Sequence, residues 1–243
     1  MATSYFARMA SARERWSAVA LLALALGAIT CGGEPGSPPV TSGDALLLRC
    51  PTAEEVAAID RDLTITFEVD PTANRTVCSV VQSSRDLTLL QAQAYRTLTI
   101  ARLLTFDAPL PWTAKPLYPW LVSAIHGIRF RGDTDVSFCC DPANTIDIQA
   151  QGLSALQFPT SFRWVGTLLV LLVHEARHNE GFPHTCDTSD DTIAQLGAWG
   201  VQYHLDVFLG SHSDPAFISA SARRAFLDDA QQTCASRFCH DHC

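Results

Sequence analysis

The stretch Ser161–His184 (SFRWVGTLLVLLVHEARHNEGFPH) constrains this chain more than any other part of it. From about Thr160 the pattern is helical and strongly apolar, and a helix that is apolar nearly all round is a buried one. The run LLVLLV leads straight into His174 and His178, which are four residues apart and so stand one turn above each other on the same helix face. Both imidazoles can then reach a single metal ion. Gly181 is a place for the helix to stop in a left-handed residue, because without a Cβ that conformation carries no steric penalty. Pro183 prevents the helix from resuming, so the chain can reverse and return His184 as a third ligand. Three protein ligands leave a fourth position open, which suits hydrolysis better than a closed structural site.

Glu175 follows the first of these histidines and lies about 100° round the helix from it. There it can contact a water on the metal without entering the coordination shell. Val173-His174-Glu175-Ala176-Arg177-His178-Asn179-Glu180-Gly181-Phe182-Pro183-His184 contains HExxHxxGxxH without a mismatch, and over these dozen residues it resembles the zinc signature of the metzincin metallopeptidases. The resemblance implies a zincin-like fold and a Zn2+ cofactor held by His174, His178 and His184. It further implies hydrolysis of a peptide or protein substrate, with Glu175 as general base. The developing oxyanion needs a further donor, for which Tyr203, His204 and Arg177 are candidates.

The chain departs from that family in one respect. Metzincins place a methionine turn beneath the metal, whereas Met1 and Met9 are the only methionines here. Either another residue forms the floor of the site, or the chain belongs to a separate zincin lineage sharing the ligand spacing. A downstream glutamate ligand is excluded, since no Glu follows Glu180. A downstream aspartate ligand stays open, with Asp187, Asp190 and Asp191 available. His126, His212, His240 and His242 have no ligand spacing to the motif and read as surface residues. A metal site without catalysis, in a disulfide-rich surface lipoprotein, is the alternative function; Glu175 separates the two, because a structural site has no use for it.

Residues 1–30 read as a signal peptide. Arg8, Arg13 and Arg15 precede the apolar stretch Ala18–Ile29, which is too short to span a bilayer comfortably. Cys31 then opens a Gly/Pro/Ser-rich tether over 31–45. This order resembles a bacterial lipoprotein precursor, which implies a lipidated Cys31, membrane attachment and a place in the cell envelope. Ordinary secretion, with Cys31 a plain thiol, is the other exported reading. Beyond Cys31 there are eight cysteines, an even number compatible with four disulfides and an oxidising compartment. Adjacent Cys139 and Cys140 are expected to pair with different partners, and Cys234, Cys239 and Cys243 to form disulfides rather than a zinc site.

The remainder, 46–243, reads as one domain. Thr64–Val69 alternates like a strand; Ser84 is the expected cap of a long helix ending near Leu104. Four prolines between Pro109 and Pro119 mark a loop, with a short helix at Trp120–Ile125. Ile128–Arg131 and Thr145–Gln149 are strand candidates; the latter is a possible edge for an extended peptide. Further helices are expected near 189–209, capped by Ser189 or Asp190, and over 215–236. The predicted class is α+β, mainly helical with a small sheet and a buried active-site helix. A net charge of −8, more acidic still once the leader is removed, excludes a basic surface for nucleic acid.

Overall fold

The computed structural model describes residues 49–68, 76–79, 86–133, 137, 139, 141, 143–150, 162–214 and 217–241. The expected signal peptide, the tether, Cys31 and Ser84 lie outside the described residues. In chain order the elements are helix α1 (Ala53–Asp62), strand β1 (Thr64–Glu68), strands β2 (Thr76–Ser79) and β3 (Asp86–Thr88), and helices α2 (Leu89–Leu103) and α3 (Leu117–Ala124). Strands β4 (Gly127–Arg131) and β5 (Thr145–Gln149) follow, then helices α4 (Phe162–Asn179), α5 (Ala198–Gly210) and α6 (Ala220–Arg237). No helix among the described residues is long and apolar enough to cross a membrane.

Strands β1, β4 and β5 form a parallel sheet in the order β1-β4-β5, with Ile128 opposite Ile65 and Ile146. Side chains alternate between its faces. Ile128, Phe130, Ile146 and Ile148 are fully buried. Arg129, Arg131 and Asp147 occupy the alternate positions, where Arg129 Nε donates to one Asp147 oxygen at 2.7 Å and Arg131 Nη1 to the other at 3.0 Å. Both oxygens of the buried Asp147 are thereby paired, as an interior charge requires. The β4–β5 connection is drawn against β5 in turn: Asp141 accepts from the Thr145 N–H, and Ser137 Oγ from the Gln149 N–H, at 2.9 and 3.0 Å. The candidate peptide-binding edge therefore has both of its end amides engaged by its own loop.

Helix α4 runs through the core. Val165, Leu168, Leu169, Leu172, Val173 and Ala176 are all buried. Gly166 lets α6 approach closely, since a Cβ there would stand 2.2 Å from the Phe226 ring. Its last turn ends where the sequence indicated, at Gly181 with φ +91°. Burial of α4's apolar length fixes the axis along which His174 and His178 are displayed.

Three element boundaries differ from expectation, each because a specific local bond competes. Helix α2 is capped by Thr88, not Ser84: Thr88 Oγ1 accepts from the Gln91 N–H and Gln91 Oε1 from the Thr88 N–H. Residues 86–88, expected as helix, pair antiparallel with β2. The helix expected near 189–209 begins only at Ala198, after a 3-10 turn at Ile193–Gln195 and a left-handed Leu196 that breaks the run. Helix α6 starts at Ala220, with Ser219 accepting from the Ala222 N–H.

Candidate metal centre

His174, His178 and His184 each bring a ring nitrogen within 4.8 Å of the others, and they are the only such His/Cys/Asp/Glu group among the described residues. Helix α4 supplies the first two, whose ring centroids are 5.0 Å apart. The loop after Gly181 brings back the third, at 5.5 Å from His174 and 4.5 Å from His178. Asp187, Asp190 and Asp191 are not part of the group. Asp187 is exposed with φ 56°, and Asp191 is engaged by His240.

The orientation of two rings is fixed from behind. His178 Nδ1 lies 2.8 Å from the Phe182 carbonyl oxygen, and a carbonyl can only accept, so Nδ1 carries the proton. His184 Nδ1 lies 3.0 Å from Asp190 Oδ1 and donates to it for the same reason. In each ring Nε2 is therefore the nitrogen that can offer a lone pair to a metal. Asp190 is itself fully buried, and its second oxygen accepts from the N–H groups of Trp199 and Gly200 at 2.9 and 3.2 Å. It caps α5 with one oxygen and orients a histidine with the other. Gly197 makes that approach possible: a Cβ there would stand 2.5 Å from Asp190 Oδ2.

Residues from the C-terminus hold this loop in place. Asp190 N–H donates to the Arg237 carbonyl and its carbonyl accepts from the Cys239 N–H, both at 3.1 Å. The Cys186–Cys239 disulfide closes the same clasp. Cys50, Cys139 and Cys234 are also disulfide-bonded. The tail that offered zinc-like ligand types is thus tied up in disulfides at Cys234 and Cys239.

Burial sets the electrostatics. It pushes the His174 proton affinity well below the ordinary histidine value, and the neighbouring imidazoles of His178 and His184 lower it further. The Gln202 side chain also reaches the His174 ring, yet its Nδ1 is buried with no hydrogen-bond partner. His178 is lowered by burial too, against the opposing effect of the Phe182 carbonyl. Glu175 is 5% exposed, and desolvation raises its carboxyl to about 7, partly offset by the N–H of Cys139. Neutral imidazoles and a carboxyl poised near neutrality are what metal binding and proton transfer need. The donor set, three imidazoles of which two are oriented by partners on Nδ1, fits zinc.

Other residues expected near the chemistry fall elsewhere. Arg177 donates to the Leu196 carbonyl at 2.8 Å and to Glu180 at 2.7 Å, and its guanidinium lies 3.4 Å over the Phe182 ring. It is a brace for the loop that carries His184. Tyr203 packs edge-on against His204 and Phe238. His126 and His240 are exposed as expected, and His242 lies outside the described residues. His212 is a correction: it is buried, stacked on Phe217, with Nδ1 accepting from the Asp214 N–H. The sequence reading missed Trp199, whose ring centroid is 4.3 Å from that of His174 and 5.7 Å from that of His184. In comparison with known proteins, the chain matches no family model, no curated protein and no solved structure.

Proposed function

We propose that residues 46–243 form a zincin-like domain that hydrolyses peptide bonds with a zinc ion held by His174, His178 and His184. The observation that carries this reading is the convergence of three imidazoles, two with Nδ1 committed to an acceptor, beside a buried glutamate on the same helix. Bound zinc would supply a Lewis acid and lower the pKa of water to about 7. His174 and His178 are held toward the neutral form by burial, and Phe182 and Asp190 fix the Nδ1–H tautomer of His178 and His184. Glu175, with its carboxyl near 7, takes a proton from the attacking water at a carboxylate oxygen and returns it to the leaving amine. The Cys139 N–H keeps that carboxylate oriented.

The substrate is a peptide or protein, and the domain acts outside the cytoplasm, secreted or anchored through a lipidated Cys31. The Cys186–Cys239 disulfide supports an oxidising compartment. The test is zinc stoichiometry measured beside peptide hydrolysis. His174→Ala, His178→Ala and His184→Ala are each expected to lose zinc and activity together. Glu175→Gln keeps zinc and loses activity by about 10²–10⁴-fold. Zinc binding by a wild type that cleaves no member of a broad peptide library would make the site structural. Zinc retained by His184→Ala but lost by Asp187→Ala would move the third ligand.

A further inference from the structure

The Trp199 side chain has two anchors besides the histidines it touches, and its backbone has a third. Its Nε1–H donates to the Thr188 carbonyl at 2.9 Å, and its backbone N–H is held by Asp190. The Arg237 guanidinium lies 4.2 Å from its ring centroid, within cation–π range. With its edge tied to Thr188 and a face under Arg237, the indole is held in one orientation. It lies nearly parallel to the His184 ring, at 18°, and meets the His174 ring at 70°. It therefore touches one ligand from α4 and the one ligand from the loop. His174 is also the ring whose Nδ1 has no hydrogen-bond partner. Gln202 also reaches that imidazole, but with Nδ1 unpartnered, packing has to take the part that an Nδ1 hydrogen bond plays for His178 and His184.

We propose that Trp199 is the positioning residue of the metal centre, its indole forming the floor that sets the ring planes of His174 and His184 for a common metal ion. This rests on the zinc-site reading above and extends it to a residue with no ligand atom. An imidazole binds metal along its ring plane, so a ring free to rotate offers its lone pair in the right direction only part of the time. Removing the indole leaves every ligand present but frees His174. A wall of aromatic carbon also keeps water from the back of the cluster.

The test uses Co2+ as a spectroscopic probe on the intact mature chain, comparing wild type with Trp199→Ala and Trp199→Phe. Circular dichroism first establishes that each variant is folded; Trp199→Phe, which keeps an aromatic floor, serves if Trp199→Ala does not fold. Trp199→Ala is expected to weaken Co2+ binding by about 10–100-fold, the range for loss of an outer-shell support. Its visible d–d bands should shift or broaden, because the ligand geometry has changed. Trp199→Phe should restore the wild-type band positions and most of the affinity. A folded Trp199→Ala with wild-type bands and affinity overturns the positioning role alone, as does a folded Trp199→Phe whose bands and affinity depart from the wild type. A wild type that takes up no Co2+ overturns the metal centre itself, and Trp199's role with it.

Discussion

The two halves of the histidine cluster are built by different means. His174, Glu175 and His178 sit on one helix, and their relative placement follows from 3.6 residues per turn and a buried apolar face. Nothing distant is needed to set their spacing. His184 sits on a loop with no regular structure of its own. It is placed by Asp190, which is held by the amides of α5, by the C-terminal segment from Arg237 to Cys239 and by a disulfide. One half is local and stiff; the other is assembled from residues up to 55 positions away. The helical half should therefore survive damage elsewhere, whereas the loop half should fail when any of its distant supports is removed.

The largest effect should come from opening the clasp. Replacing both Cys186 and Cys239 with Ser frees a bridge of sequence separation 53, a loss of about 4 kcal/mol in the chain-entropy account. The loop half should loosen first, so zinc affinity falls while α4 persists. Denaturant unfolding of the metal-free protein and zinc competition on the double variant measure the two effects separately. Lower stability with unchanged zinc affinity would mean that the loop half supports itself.

The same division explains what the sequence made legible. The α4 motif could be read because its spacing is a helix period and its apolar approach marks burial. The return of His184 to the cluster could be anticipated from Gly181 and Pro183, but that the downstream aspartates stay out of it could not. That arrangement depends on Asp190 turning its oxygens toward α5 and His184, a contact that appears only once Gly197 and the C-terminal segment are in place. Asp190 was visible as a helix cap, and it does accept the first amides of a helix, though of one starting eight residues later than expected. Trp199 carried no signal, because a tryptophan at a helix start reads as ordinary packing. His212 was misread because its stacking partner Phe217 could not be paired with it from spacing alone.

A smaller effect tests the helical half by pH. Burial raises the Glu175 carboxyl from 4.5 to about 7 in the folded protein. Between those values the folded state binds more protons than the unfolded one, so stability falls as pH rises through that window and levels off above it. Glu175→Gln removes this dependence. Metal-free Glu175→Gln should match the wild type near pH 4 and become the more stable by roughly 3 kcal/mol above pH 7. The lowered histidines act the other way, costing stability as pH falls below 6.5, but they are common to both proteins and cancel in the difference. Parallel denaturation curves at each pH give the difference directly, and a constant gap would show that Glu175 is not desolvated.

The smallest change reaches the loop half through one proton. In Asp190→Asn the side chain keeps its size. The amide oxygen must face the Trp199 and Gly200 N–H groups, since an NH₂ there would oppose two donors. The NH₂ then faces His184 Nδ1, which carries a proton in the native tautomer. Two donors cannot share that contact, so His184 moves its proton to Nε2 and Nδ1 becomes the acceptor. The ring keeps its position while the lone pair turns away from the cluster. Zinc affinity should drop about 10–100-fold, as for loss of a partner behind a ligand. Stability of the metal-free protein should change little, because every hydrogen bond is still made. Zinc competition and a ¹⁵N spectrum of the histidine ring nitrogens check the two halves of this expectation. An unaltered tautomer with unaltered affinity would show that Asp190 acts only as the cap of α5, leaving the loop half to hold His184 without it.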